Sequence, residues 1–309
     1  MLSFIIRRIF QFFPTLIGIS FIMFVLLNVL PGSAALMSGG KEIVSPEMIE
    51  KLEKKWGLDK PFHIRYLSYM KGLAQGDMGV SFRQGEKVQD IIGHRLWPTL
   101  KLALASLTIA CTIGIPLGFF SALRQGTWVD TMTMMGAVSG VSMPSFWSAL
   151  LLMYFFSVFL GWLPTFGYGN GGIKHLILPA TALGIGYIAL LARTTRSAVV
   201  DILNEDYIRT AHAKGLSVLF INRKHVFRNT LVLILTTVGM QFGSLMGETV
   251  VVETIFSWPG IGSLIKDSIF LRDTPVTQGC IMLIVLVFMT VNLGVDILYS
   301  YIDPRISYE

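Results

Sequence analysis

Residues 205–229, EDYIRTAHAKGLSVLFINRKHVFRN, form a charged, soluble-looking segment in an otherwise apolar chain. Apolar runs lie on both sides of the segment, and its basic residues outnumber its acidic ones. In a membrane protein an excess of lysine and arginine marks the cytosolic side. The segment therefore predicts a chain that crosses a membrane several times and presents one ordered element to the cytosol.

The composition agrees with a polytopic membrane protein. Of the 309 residues, 53% are hydrophobic and only 14% are charged, and the mean hydropathy is +0.63. A soluble core of this size does not need so much apolar surface. The net charge of +6 is then more readily explained by membrane orientation than by nucleic-acid binding. Both cysteines lie in apolar runs, so no disulfide framework is expected.

We predict an all-α fold with six membrane-spanning helices, because a span needs about 20 mostly apolar residues. The first run is too long for a signal peptide, so it is interpreted as an uncleaved span. The predicted spans are 9–30, 102–123, one within 131–163 that contains Pro144, 176–192, 229–252 and 274–301.

The charges of the short loops predict the orientation. The loop between spans 4 and 5 is strongly basic, so both termini are expected in the cytosol. The predicted organisation is a cytosolic N-terminus and first span, a helical extracytoplasmic subdomain, a five-span core with a cytosolic loop, and a cytosolic tail. These parts comprise residues 1–30, 31–101, 102–302 with the loop at 197–228, and 303–309.

The extracytoplasmic subdomain is predicted to contain three helices. The first covers about 45–57, the second carries Phe62, Tyr66 and Tyr69, and the third carries Val88, Ile91 and Ile92. Two interpretations stay open. The subdomain is either a collar for an external partner or a lid that packs on the ends of the spans.

Small residues follow helical spacing in the spans, most clearly at Gly239, Gly243 and Gly247 in span 5. Such stripes allow helices to approach closely. The alternative interpretation is that this face lines a translocation path or the seam with a partner subunit. Glu248 and Asp296 lie in apolar sequence, where an acidic residue is a functional candidate by default, although structural roles are favoured for both.

The cytosolic loop is predicted to form a helix over 201–214 and a second helix over about 217–225. Gly215 ends the first helix in the left-handed conformation that glycine adopts without steric cost. In this prediction Leu203, Tyr207 and Ala211 share one face. The element either inserts into a cleft of a partner or rests on lipid headgroups as an amphipathic connector.

Several short motifs occur in a fixed order along the chain. They are NVLPG at 28–32, GLDKP at 57–61, GDMGVS at 76–81, DYIRTAHAKGL at 206–216, ETVVVE at 248–253, FSWPGIG at 256–262 and DPR at 303–305. Together they resemble the B-type permease subunit of bacterial dipeptide, oligopeptide and nickel ABC importers, in the cytoplasmic (inner) membrane.

The resemblance implies the type I permease fold and a non-catalytic role. Expected partners are a second permease of the same fold, two ATPase subunits, an extracytoplasmic substrate-binding protein and membrane lipid. ATP and Mg would be bound by the ATPases, with no cofactor or metal on this chain, which has no P-loop motif. The residues assigned to ATPase docking are Glu205, Asp206, Tyr207, Arg209, Thr210, Ala211, Ala213, Lys214, Gly215 and Leu216; Gly239, Gly243, Gly247 and Glu248 are assigned to the path or seam.

Two positions depart from the family pattern. Arg209-Thr210-Ala211 stand where the general docking motif has Glu-Ala-Ala, and Ser33 follows Leu-Pro-Gly where many relatives have an acid. Peptides are the favoured substrate, and nickel chelates or glutathione are the alternatives. Outside this class, the alternatives are an ion-coupled carrier and a membrane enzyme, but the sequence shows neither a clear inverted repeat nor a convergent polar site.

Overall fold

The computed structural model describes residues 2–29, 47, 50, 51, 54 and 56–302. This part of the chain is helical and contains no β-strand, apart from an isolated bridge between Val80 and Lys87. The helices are α1 (Leu2–Val29), α2 (Phe62–Ala74), α3 (Val88–Leu123), α4 (Trp128–Ser142), α5 (Ser145–Leu152, continued as a π-helix over Met153–Phe159), α6 (Ile173–Leu203), α7 (Asp206–Ala213), α8 (Val218–Ile255), α9 (Ile261–Phe270) and α10 (Thr274–Ile302).

Within the described residues, five helices are long and apolar enough to cross a membrane, and six spans result if one bent pair counts as a single span. The five contain the segments Ile5–Asn28, Val88–Leu123, Ile173–Leu203, Val218–Ile255 and Thr274–Ile297. The all-helical, polytopic fold is therefore confirmed. Helix α6 contains the predicted fourth span and continues without a break past Arg193 to Leu203.

The bent pair consists of α4 and the helix that begins at Ser145, and the chain turns by 106° between them. Pro144 explains the break, because proline has no N–H to donate and disfavours helical geometry in the residue before it. Met143 accordingly has an extended conformation, with φ −89° and ψ 117°. The sequence identified this proline in an overlong run but did not predict the size of the bend.

Helix α3 is longer than the predicted second span. Val88, Ile91 and Ile92 were predicted to lie on a separate helix of the first loop, whereas they form the first turns of the same 36-residue helix. These three side chains are buried in an apolar cluster with residues of α9 and α10. Tertiary packing therefore holds this end of α3 in place.

One compact unit contains Leu100–Trp258 and the part of α10 from Phe288 onwards. Helix α6 lies at its centre and packs against α4, α5 and α8. A Cβ atom on Gly114 or Gly118 would clash with the backbone oxygen of Ile188 or Ala192. These two glycines thus allow α3 to approach α6 closely, as predicted for small residues at helical spacing.

The second unit contains Ile6–Thr99 and Pro259–Val287. In it α1 and α2 pack through aromatic rings, and the hydroxyl groups of Ser20 and Tyr66 lie 3.0 Å apart. Burial raises the pKa of Tyr69 on α2 to about 12. The predicted helix with Phe62, Tyr66 and Tyr69 is confirmed. Most of the predicted helix at 45–57 lies outside the described residues.

The turn before α10 is fixed by Asp273 in the same unit. Its carboxylate accepts hydrogen bonds from the Ser81 hydroxyl at 2.5 Å and from the Phe82 N–H at 3.0 Å. The Ile261 N–H at the start of α9 donates to the Thr99 hydroxyl at 2.7 Å. These bonds join segments that are far apart in the sequence.

Candidate functional site

The segment between α6 and α8 is a short helix followed by a tight glycine corner. Helix α7 ends in a Schellman arrangement, in which the Gly215 N–H donates to the His212 oxygen at 2.9 Å and the Leu216 N–H donates to the Ala211 oxygen at 3.3 Å. Gly215 has φ +76°, so the predicted left-handed corner is confirmed. Ser217 then caps α8 by accepting a hydrogen bond from the Phe220 N–H.

The beginning of α7 differs from the prediction. A single helix was expected over 201–214, but α6 continues to Leu203 and α7 begins at Asp206. Glu205 separates them because its backbone is extended, with ψ 144°. Leu203 therefore belongs to another helix and does not share a face of α7 with Tyr207.

The inner face of α7 packs against the chain itself. Ile208 and Ala211 are buried in a cluster that unites three other helices, with Ala122 from α3, Val199 from α6, and Ile221 and Val226 from α8. The prediction that Ala211 faces a partner is wrong, since Ala211 itself is only 7% exposed. The stripe at Ile208 and Ala211, not the one through Tyr207, is the buried one.

The outer face of the segment is exposed. Of the residues assigned to docking, the exposed ones are Glu205, Asp206, Tyr207, Arg209, Thr210, Ala213, Lys214, Gly215 and Leu216. Val218, Leu219 and Phe220 are exposed as well, although they are not among the residues predicted to dock the ATPase. Three consecutive apolar residues directly after a serine cap were the available signal. We call the exposed apolar side chains Tyr207, Leu216, Val218, Leu219 and Phe220 the corner surface.

Polar contacts fix the position of the segment. The Tyr207 hydroxyl accepts a hydrogen bond from the Asn229 side chain of α8 at 3.0 Å. Asp206 and Arg209 form an ion pair at 3.3 Å in which both side chains are largely exposed. The packing of the inner face and the Tyr207 contact with α8 together anchor the segment, while its exposed face combines charge with apolar surface.

An ion pair between a buried Asp130 and a partly exposed Arg196 lies in the same unit, and the sequence alone did not reveal it. Asp130 at the start of α4 accepts two hydrogen bonds from Arg196 of α6, at 2.5 and 2.7 Å. Its carboxylate also accepts from the Ser121 hydroxyl at 2.6 Å and from the Gly126 N–H at 3.0 Å. The pair therefore joins α3, α4 and α6 near the residues that contact α7, because Ala122 and Val199 are in the α7 cluster.

The glycine stripe of α8 is divided between two environments. A Cβ atom on Gly239 would meet the Val295 side chain, and one on Gly243 would meet Phe288, so both lie against α10. A Cβ atom on Gly247 would meet nothing within 4 Å. The first two positions support the interpretation of close helix contact. Their assignment to a path or seam stays a prediction.

Glu248 is exposed in this chain and lines a cavity between α5, α6 and α8. Asp296, the other acid in apolar sequence, lies in α10. Among the residues that the structure describes, no three of His, Cys, Asp and Glu are arranged to hold a metal ion.

The chain matches the family described as the binding-protein-dependent transport system inner membrane component over residues 114–308. The N-terminal family of the same transport systems matches residues 1–103. The chain belongs to this family. It is an inner-membrane permease component of an ABC importer, and it crosses the membrane several times.

Two relatives match this chain over the full length of both proteins. The chain is 40% identical to the dipeptide transport system permease protein of Alkalihalophilus pseudofirmus and 41% identical to the glutathione transport system permease protein of Escherichia coli. In both comparisons 100% of this chain and 100% of the relative are covered.

The fold of this permease component also occurs in a solved structure. Inward-facing structures of the MetNI methionine ABC transporter match with a TM-score of 0.58 and 17% identity, over 69% of this chain and 96% of the other. The resemblance inferred from the ordered motifs is therefore confirmed at the level of family and fold. Both the glycine corner and the Glu248 cavity fall within the matched residues 114–308.

Proposed function

We propose that this chain is one of two permease subunits of an ATP-driven importer that carries di- and oligopeptides into the cytosol. The other members would be a second permease of the same fold, two ATPase subunits and an extracytoplasmic binding protein. The chain itself would hydrolyse no nucleotide. Both of its termini would lie in the cytosol, on the same side as the glycine corner.

The corner surface supports the docking of an ATPase. Leu219 is 80% exposed at the start of α8, and soluble parts of proteins seldom leave contiguous apolar side chains of this kind uncovered unless they bind a partner. The charged residues around it would form a polar rim, as is common at protein interfaces. This combination is the single observation that carries the docking proposal.

The inner face of α7 supplies a route for coupling. Ile208 and Ala211 pack on Val199 of α6 and on Ile221 and Val226 of α8. A displacement of α7 would therefore act on two spans at once, because a close-packed cluster transmits movement rather than absorbing it. In this proposal the closure of the ATPases on ATP shifts the permease pair from inward-open to outward-open.

The substrate class rests on the relatives. The two similar proteins carry the names of a dipeptide and a glutathione permease, and both substrates have peptide bonds and a free ammonium group. Dipeptides are favoured because the ordered motifs are those of the peptide subfamily. Glutathione is the alternative within the class, followed by nickel chelates.

Uptake into proteoliposomes tests this function. The complex is reconstituted with its binding protein, and the uptake of radiolabelled dialanine, glutathione and nickel–histidine is measured with ATP inside the vesicles. We expect dialanine uptake that requires ATP and the binding protein. Uptake that needs an ion gradient instead of ATP would support a secondary carrier and reject the proposal, and preference for either other substrate would reject the peptide assignment.

A further inference from the structure

A cavity of about 460 Å³ lies in the first unit between the end of α4, the start of α5, the middle of α6 and the second half of α8. Its polar lining consists of Ser145, Tyr187, Gln241, Ser244 and Glu248, and the rest of its lining is apolar. This volume is within the range of small-molecule sites, which combine apolar walls with a few convergent polar groups.

The polar groups converge because of helical spacing. Gln241, Ser244 and Glu248 follow one another at intervals of three and four residues, so they lie on one face of α8. The break at Pro144 contributes the opposite wall, since Met143 and Pro144 also line the cavity. Non-helical backbone at membrane depth is tolerated where it lines a cavity or is buried in protein, which suits a site on a translocation path.

Tyr187 is the most buried polar group in the lining of this cavity. Tyr187 is only 5% exposed, and its hydroxyl forms no hydrogen bond of normal geometry with the described residues. The Glu248 carboxylate lies close to this hydroxyl and interacts with it. Buried hydroxyl groups in proteins nearly always have a partner, so a bound polar group would satisfy it.

The chemistry of the lining selects the ligand. No lysine, arginine or histidine lines the cavity, and an acidic residue in a span is costly unless it has a function. A carboxylate, an amide oxygen and hydroxyl oxygens can all accept hydrogen bonds, and a primary ammonium group has three N–H groups to donate.

We propose that this cavity binds the free α-ammonium group of the transported peptide, with Glu248 as its counter-charge and Tyr187 as an orienting acceptor. The inference rests on the proposed function. The volume favours a mobile ligand over one lysine side chain of the second permease, because the cavity has room for a whole dipeptide.

Equilibrium dialysis of radiolabelled dialanine against the purified transporter complex, without binding protein, tests the proposal. N-acetyl-dialanine is the comparison, because acetylation removes the positive charge and leaves one N–H donor instead of three, while it adds an acetyl group. We expect the wild type to bind dialanine at least about tenfold more tightly, as charge-assisted hydrogen bonds are the strong ones. Glu248→Gln should remove this preference, and Tyr187→Phe should reduce it. Glu86→Gln, the same change at an exposed residue outside the cavity, should leave it intact.

The outcomes distinguish a failure of the ammonium site from a failure of the proposed importer function. If the complex takes up dialanine but binds both peptides equally, or if Glu248→Gln weakens both equally, the ammonium site is rejected while the importer function stands. If Glu248→Gln mainly separates the two permeases on purification, Glu248 pairs with the second subunit and the site is likewise rejected. If the wild-type complex with its binding protein takes up no peptide, the proposed function itself fails.

Discussion

Asp130 shows how a single residue ties helices of the core together. Its carboxylate accepts hydrogen bonds from a side chain of α3, from the backbone of the turn, and from Arg196 of α6. Asp130 is buried, and the Arg196 side chain is 25% exposed. Removing the charge of Asp130 therefore weakens its charge-assisted hydrogen bonds, while water can partly hydrate Arg196. The pair therefore stabilises the packing of α3, α4 and α6 next to the cluster that holds α7.

Asp130→Asn tests this role, since the substitution keeps the shape and removes the charge. We expect a loss of about 2 kcal/mol, because the hydrogen bonds between Asp130 and Arg196 lose their charge assistance. The midpoint of thermal unfolding in detergent should fall by roughly 4–8 °C. Asp206→Asn is the matched control in an exposed pair and should change the midpoint little. Equal shifts in the two variants would contradict the structural role of Asp130.

The sequence could not reveal this pair. In the sequence, Asp130 is an ordinary acidic residue in the first turn of a helix. Arg196 lies 66 residues away, and there it is one of several basic residues of the cytosolic loop. The burial of Ala211 was missed for a related reason. Both Tyr207 and Ile208 have helical spacing to Ala211, and only the packing of α3, α6 and α8 decides which stripe is buried.

At the scale of elements, the glycine corner was predictable because its signal is local. A helix that ends at a glycine followed by an apolar residue favours the left-handed conformation, and Gly215 adopts it. The spans were likewise predictable from their length and apolarity. The 106° bend and the extension of α3 were not, because each depends on neighbouring helices.

Gly215→Val tests the corner, since a β-branched residue is strongly disfavoured at positive φ. Gly76→Val is the matched control, because Gly76 has φ +78° against +76° for Gly215 and a Cβ on either glycine would meet no atom within 4 Å. We expect Gly215→Val to uncouple ATP hydrolysis from uptake while the chain still inserts. Gly76→Val should keep the coupling. Similar losses in both variants would mean that backbone strain alone explains the effect.

At the scale of the whole molecule, the family and the membrane location are shown, while the orientation stays a prediction from loop charge. We expect a reporter fused after Glu309 to be active only in a form that works in the cytosol. A second fusion within the loop after α2, at Gly85, should be active only in a periplasmic form. The same reporter form active at both positions would refute the predicted topology.

The central claim is that the corner surface holds an ATPase, and a matched pair of leucine substitutions tests it most directly. Leu219 on the corner surface is 80% exposed, and Leu67 on α2 is 64% exposed. Each is changed to aspartate, and the measured quantity is the amount of ATPase that copurifies with the permease pair. An interface hot spot loses affinity by at least about tenfold on such a change, so Leu219→Asp should release the ATPase that docks on this chain and abolish ATP-dependent uptake, while Leu67→Asp retains both ATPases. Retention of both ATPases by Leu219→Asp at wild-type stoichiometry, with normal uptake, would contradict the claim.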